Sequence, residues 1–321
     1  MSCPRRLQSG VLNNNRQMVV TRENKTAVIV AGPTASGKTS VAIDLAKHFK
    51  TEIISADSRQ CFRELNIGVA RPSEEELTAV KHYFIASHSV NDNVSAGTFE
   101  QYALEKANAL FKEHDVVVVS GGTGLYIKAF CEGMDPIPNV PGEIRQTIIS
   151  GFKEKGLEWL QKEVEQKDPS FYKSGEIKNP QRLMRALEVM ESTGRSIVEF
   201  RKGAKAKRAF TIIKIGLELS KEDLHRNIDM RVDKMIAQGL VEEVRELLPH
   251  KDQNALQTVG YPEIFAYLDG KISLDKAIDL IKKNTKQYAR RQMTWFRKDK
   301  EIKWFAPSAI EEMKGHLPDA L

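Results

Sequence analysis

Cysteine is scarce in this sequence: Cys3, Cys61 and Cys131 are the whole set in 321 residues. An odd, scattered three excludes a disulfide framework and suits a reducing compartment, so a cytoplasmic protein is expected. No apolar run approaches the roughly 20 residues that a membrane span needs, so no membrane partner is expected. Residues 1–24 are polar, contain Asn13-Asn14-Asn15 and lack the apolar core of a secretion signal. They read as a disordered leader, with Met18 available as a second start. The seven histidines fall into no HExxH or related spacing, which gives no sign of a zinc site. There is no guanine-reading Asn-Lys-x-Asp element, and no acid closes the apolar run 116–119. Those two absences weigh against a GTPase switch and against a motor of the ATP-hydrolase type.

What is present begins with Gly32-Pro33-Thr34-Ala35-Ser36-Gly37-Lys38-Thr39. It fits the phosphate-loop pattern G-x-x-x-x-G-K-[ST] at every fixed position. From average composition, a chance match in a chain of this length is on the order of one in a hundred. Residues 27–31 (AVIVA) before it read as a buried parallel strand, and residues 40–49 after it have apolar side chains at helical spacing. Glycines let backbone N–H groups turn toward an anion, and the following helix N-terminus adds positive potential. Lys38 supplies a mobile cation and the Thr39 hydroxyl can hold Mg²⁺. The protein therefore binds a di- or triphosphate-like group.

Residues 52–57 (EIISAD) read as a second strand ending on a carboxylate. Ligands of open parallel sheets sit beyond the carboxyl ends of the strands, which puts Asp57 on the edge that carries the phosphate loop. Asp57-Ser58 equally suits a helix cap. Residues 82–86 read as a further strand and 98–112 as a helix. The strand 116–119 runs into Ser120-Gly121-Gly122-Thr123-Gly124 and then a helix over 125–130, a second strand–glycine–helix junction on the same edge.

After Gly133 the character changes. Pro136, Pro138 and Pro141 mark a linker, and helices are expected over 143–154, 157–166 and 180–193. Arg182 and Arg185 lie three apart and share a helix face, while Leu183 and Leu187 take another and can pack inward. A strand over 210–217 returns to the parent sheet, and helices follow over 221–227, 229–248, 262–268 and 274–297. The domain reading is thus a core of 25–132 and 206–321 with a helical insertion of 133–205. Between residues 282 and 303 there are nine Lys or Arg against two acids, with Tyr288, Trp295, Phe296 and Trp304 interleaved. Such a surface can hold phosphates and stack bases, although Trp295 is expected in the core. The net charge of +6 suits a polyanionic partner without singling one out.

Several stretches together resemble one family, the tRNA dimethylallyltransferases: GPTASGKT at 32–39, ADSRQCFRELNIGVARPS at 56–73, GGTGLYIKA at 121–129, NPQRLMRALEV at 179–189, RNIDMRVDKMIAQGLVEEV at 226–244, TVGYPE at 258–263 and TKQYARRQMTWFRK at 285–298. They occur in the family's order and cover most of residues 27–305. The chain departs from the family at Arg59, Cys61 and Phe62, where Met, Val and Tyr are common, and at Pro262, where a basic residue is frequent. The resemblance implies an α/β fold: a P-loop nucleotide-kinase-like parallel sheet flanked by helices, with an inserted all-helical domain that binds the anticodon arm of tRNA. It implies transfer of a dimethylallyl group from dimethylallyl pyrophosphate to the exocyclic N6 amine of the adenosine 3′-adjacent to the anticodon, releasing pyrophosphate. Asp57 is then the general base. Lys38 and Arg231 are the cations that meet pyrophosphate, and Thr123 is a candidate for holding the base or the ribose. Mg²⁺ is the expected cofactor, and Thr39 or its equivalent the expected ligand. Asp57, Ser58, Arg59, Gln60, Thr123, Arg145, Gln181, Arg182, Leu183, Met184 and Arg185 resemble the family's tRNA-contacting positions. A monomer is expected. Two rival readings share some of these features: a small-molecule or nucleoside kinase, and a nucleotide-gated RNA-binding module without transfer chemistry.

Overall fold

The computed structural model describes residues 25–203 and 205–319; the leader expected over 1–24 lies outside them. The chain divides into two compact units. The first holds the residues up to Asn91, Glu105–Gly122 and Arg208 onward, and the second holds Asp92–Leu104 and Thr123–Lys207.

The first unit is built on six parallel strands: β1 (Thr26–Ala31), β2 (Ile53–Ser55), β3 (His82–Tyr83), β4 (Val116–Gly121), β5 (Thr211–Leu217) and β6 (Ile302–Phe305). Their order is β3-β2-β4-β1-β5-β6. Strands buried on both faces read as unbroken apolar runs, and AVIVA and VVVV form the middle of the sheet for that reason. β1 pairs with β4 from Thr26↔Val116 to Ala31↔Gly121, and on its other side with β5 from Thr26↔Thr211 to Ala31↔Gly216. Helix Lys38–His48 covers one face, where Val41, Leu45 and Ala46 join Val28, Val30, Ile53, Val118 and Ile215 in a single core. Because every strand points the same way, all the carboxyl ends open on one edge.

Several elements differ from the sequence reading. β3 stops at Tyr83 because Phe84 (φ 62°) and Ala86 (φ 47°) turn left-handed. β6 falls in the stretch expected to be basic surface; its Ile302 and Phe305 are buried while Lys303 is exposed. Trp295 is a correction: it is 39% exposed, and the adjacent Phe296 takes the core position. Trp304 lies across Gly216, where any Cβ would fall 2.6 Å from its ring. The helix Lys221–Ala237 runs through the break expected after Asn227, and the chain interrupts instead at Gly239 (φ 98°) before Leu240–Glu246.

The second unit is helical. Gly156, at φ 76° and ψ −169°, breaks Gly142–Lys167 into two helices. Asn179 caps Pro180–Thr193 by accepting from Gln181 N (3.0 Å) and Arg182 N (3.3 Å), and Gly194 (φ 67°) ends it. The buried stripe Leu183, Met184, Leu187 packs with Ile148, Leu160, Val164 and Phe171. Buried Asp168 ties this core together, accepting from Phe171 N (2.9 Å) and Ser196 Oγ (3.0 Å).

Candidate active site

The phosphate loop joins β1 to helix Lys38–His48 at the carboxyl edge of the sheet. Gly37 sits in the left-handed region (φ 84°) as the residue before the helix, and Ala35 does so too (φ 63°). Alternating hands of this kind turn successive amides toward one concavity, and the first amides of the helix have no partner within it. Ser36 Oγ donates to Pro33 O at 2.8 Å and closes the loop on itself. Gly32 leaves no room to spare: a Cβ there would meet Leu217 O at 3.1 Å.

Lys38 Nζ donates to Pro33 O at 2.6 Å. Burial of its ammonium group, and secondarily the positive charge of Arg231, bring its pKa down from 10.5 to about 7, against the opposing pull of Asp57. Arg231 comes from helix Lys221–Ala237 and donates from Nη1 to Thr34 Oγ1 at 3.2 Å. Burial lowers its pKa as well. Two basic groups are thus gathered at the loop, each half-buried at the cleft, which suits an anion.

Asp57 lies just past β2, where Ala56 N still bonds Ser120 O at 2.7 Å. Its Oδ1 accepts from Arg59 N (2.8 Å) and Gln60 N (3.2 Å). No helix follows Asp57 to be capped; residues 58–61 form a turn that these two bonds close, and the turn fixes the carboxylate's direction. A cleft of about 920 Å³ is lined by Thr34 through Thr39, Asp57, Arg59, Gln60, Gly121, Gly122 and Arg231, among others. The structure thus brings Lys38, Thr39, Asp57 and Arg231 to one cleft. Gly32 and Pro33 shape the loop behind it.

Arg59 Nη1 and Gln60 Nε2 are engaged on the protein itself. Arg59 Nη1 reaches Asn254 O (2.8 Å) and Ala255 O (3.2 Å), and Gln60 Nε2 reaches Ala70 O (2.9 Å) and Val69 O (3.3 Å). The cleft wall at residues 66–68 is held by a carboxylate that spacing does not reveal. Glu243 accepts from Asn66 N, Ile67 N and Gly68 N at 3.1, 2.6 and 3.0 Å and from the Tyr261 hydroxyl at 2.8 Å. Gln292 is a second residue missed by the sequence reading; Thr34 N donates to its Oε1 at 2.8 Å. Both stand inside quoted motif stretches, which was the available signal. Among the described residues, no three His, Cys, Asp or Glu come together as a metal cluster.

Thr123, Arg145 and residues 181–185 belong to the second unit. Thr123 precedes helix Gly124–Glu132, and its carbonyl accepts from Tyr126 N and Ile127 N. Arg145 Nε lies 3.7 Å from Glu188, and Arg185 Nη1 donates to the same carboxylate at 3.1 Å. Arg182 pairs with Glu176, and Gln181 is exposed. The side chains of Leu183 and Met184 are buried.

A parallel sheet with a phosphate loop, an anion-seeking cation pair and a facing carboxylate at its carboxyl edge defines a phosphate-loop α/β enzyme. The IPP transferase family model matches residues 60–299, and the chain belongs to that family. It is 46% identical over 290 residues to a tRNA dimethylallyltransferase of Cytophaga hutchinsonii, covering 90% of this chain and 95% of the other. It is 51% identical over 276 residues to one from Christiangramia forsetii, covering 86% and 91%. Its fold matches a tRNA isopentenylpyrophosphate transferase of Bacillus halodurans at TM-score 0.66 and 31% identity, over 90% of this chain and 94% of that one.

Proposed function

We propose that the protein transfers a dimethylallyl group from dimethylallyl pyrophosphate to the exocyclic N6 amine of the adenosine 3′-adjacent to the anticodon in tRNA. The supporting observation is that Lys38, Arg231 and Asp57 line one cleft, two cations at the phosphate loop and a carboxylate across from them. An aromatic amine is a weak nucleophile, and the allylic carbon compensates by carrying positive charge as its bond to oxygen loosens. The C–O bond breaks with its electron pair leaving on pyrophosphate, and the N6 lone pair forms the new C–N bond. Phosphate-loop amides, Lys38 and Arg231 stabilise the charge growing on the leaving group. Asp57 takes the proton that the alkylated amine sheds. The adenosine has to leave its stack to arrive there, at a cost of a few kcal/mol.

Thr39 lines the cleft, and its hydroxyl would hold Mg²⁺, an ion that needs few protein ligands. Bound there, it would supply further charge neutralisation to the leaving group. The helical region of 133–205, with Arg145, Gln181, Arg182 and Arg185, is the part we assign to the anticodon arm, together with Ser58 and Thr123. The reading carries with it a cytoplasmic enzyme working as a monomer.

The test is mass spectrometry of digested tRNA after incubation with the protein, Mg²⁺ and dimethylallyl pyrophosphate. A gain of one C5H8 unit on a single adenosine is expected. Unmodified tRNA, or release of phosphate from ATP with a nucleoside acceptor, would overturn the assignment in favour of a binding module or a kinase.

A further inference from the structure

Gln292 is an uncharged polar side chain at 7% exposure on helix Leu274–Phe296, and both ends of its carboxamide are used. Its Oε1 accepts from Thr34 N at 2.8 Å, and its Nε2 donates to Gly122 O at 2.9 Å. One rigid planar group therefore joins the phosphate loop to the glycine junction after β4. That junction is in turn pressed against the Asp57 turn. Ala56 N bonds Ser120 O at 2.7 Å, and a Cβ on Gly121 would fall 2.1 Å from Ala56 O. A chain of close contacts thus runs from Thr34 through Gln292 and the glycines to the residue before Asp57.

We infer that Gln292 is a positioning residue that sets the distance between the pyrophosphate cradle and the general base. It rests on the proposed reaction for what is being spaced, and on the hydrogen bonds alone for the spacing. Thr34 is the third residue of the loop pattern. With its amide spoken for by Gln292, the loop enters its turn at a fixed angle, and the later amides keep their direction toward the anion. Gly122 has no side chain for a matching reason: a Cβ there would stand 2.4 Å from Gln292 Nε2. Lys38, Arg231, Asp57, Arg59 and Tyr288 are among the charged and titratable groups that share the cleft with Gln292, and a neutral carboxamide adds no charge to them. Displacing a reacting partner by about 1 Å can cost on the order of 100-fold in rate, which is the scale at stake.

Gln292→Met keeps the length and bulk of the side chain and removes both hydrogen bonds. We expect kcat to fall on the order of 10–100-fold and the dissociation constant for Mg²⁺-pyrophosphate to rise. KM for tRNA and the melting temperature should stay close to the parent values. A kcat within about twofold of the parent overturns the inference. So does a loss that travels with a lower melting temperature and an equally raised KM for tRNA, because that is the mark of a general packing role. A second arm uses Gly122→Ala, alone and with Gln292→Ala. The single change should lower kcat by pushing the carboxamide aside, and in the Gln292→Ala background it should add little, since the obstructing tip is gone. Full additivity of the two changes also overturns it. The binding arm separates this inference from the proposed reaction. If the parent binds pyrophosphate more tightly than Gln292→Met yet transfers nothing to tRNA, the reaction falls and the bracing stands. If the parent does not bind pyrophosphate, both fall.

Discussion

At the scale of single residues, the site carries two ionisable groups whose removal should read differently. Lys38 has its pKa lowered to about 7 by burial, so the protein without ligand holds it largely neutral above that pH. A bound pyrophosphate favours the charged form, and binding at pH 8 should take up a proton. Calorimetric titrations in buffers of different ionisation enthalpy measure this directly, and equal heats in all buffers would contradict it. The linkage to stability has a definite sign. A lysine whose folded pKa lies below its unfolded value penalises the fold while both states are charged. That penalty is relieved as pH rises from about 7 toward the unfolded value near 10.4. Lys38→Met should therefore flatten the rise in stability over that window, and donor binding should be lost with it. Asp57 acts elsewhere. Asp57→Asn keeps an oxygen for the Arg59 and Gln60 amides but cannot take a proton, so single-turnover transfer should slow about 10²–10⁴-fold. Separate titrations should show donor and tRNA binding little changed. Near-normal transfer by Asp57→Asn would mean that closing the turn over residues 58–61 is its whole role.

At the scale of elements, the helix Pro180–Thr193 presents Arg182 and Arg185 to solvent while burying Leu183 and Leu187. The Arg182–Glu176 pair is largely exposed and contributes little to stability, whereas Glu188 is buried and keeps Arg145 as a partner 3.7 Å away when Arg185 is gone. Arg182→Ala with Arg185→Ala should weaken tRNA binding, with a modest drop in melting temperature from the Arg185 change alone, because Glu188 loses one of its two arginines. The slope of log affinity against log salt should shrink by about one for each arginine that meets a phosphate. An unaltered slope would show these arginines to be a solvated face. The same helix shows what a sequence makes legible. Its apolar stripe, its Asn179 cap and its terminal Gly194 are all local signals, and its bounds follow from them alone. The central strands are legible too, since strands buried on both faces have little freedom in composition. β6 is not: four residues, IKWF, amid basic neighbours acquire their identity only by pairing with β5. The same holds at the site. The phosphate loop and Asp57 are set by local chemistry, whereas Glu243 and Gln292 gain their roles from loops 175 to 258 residues away. No periodicity encodes such a meeting.

At the scale of the whole molecule, a ligand that binds one compact unit should protect that unit's amides from exchange. At a pyrophosphate concentration 100 times its dissociation constant, linkage adds about 2.7 kcal/mol to openings that abolish the site. Hydrogen exchange of β1 and β4 amides in the first unit should then slow by about 100-fold where such openings limit it. Amides of the helices between residues 142 and 200 should change less in the absence of RNA. Uniform slowing across both units would indicate a single cooperative unfolding event. The strand order has a further consequence, for the time in which the chain is made. β1 lies at the centre of the sheet, yet one of its two neighbours, β5, begins only at Thr211. On a ribosome adding about 5–20 residues per second, β4 can pair with β1 while the opposite side of β1 still shows open backbone groups. The whole stretch 123–207 of the second unit emerges during those seconds. The nascent protein therefore passes through a stage in which β1, a strand buried along its whole length in the finished fold, has one free edge, the feature that invites pairing with other chains, and that edge is covered only when residues 211–217 arrive.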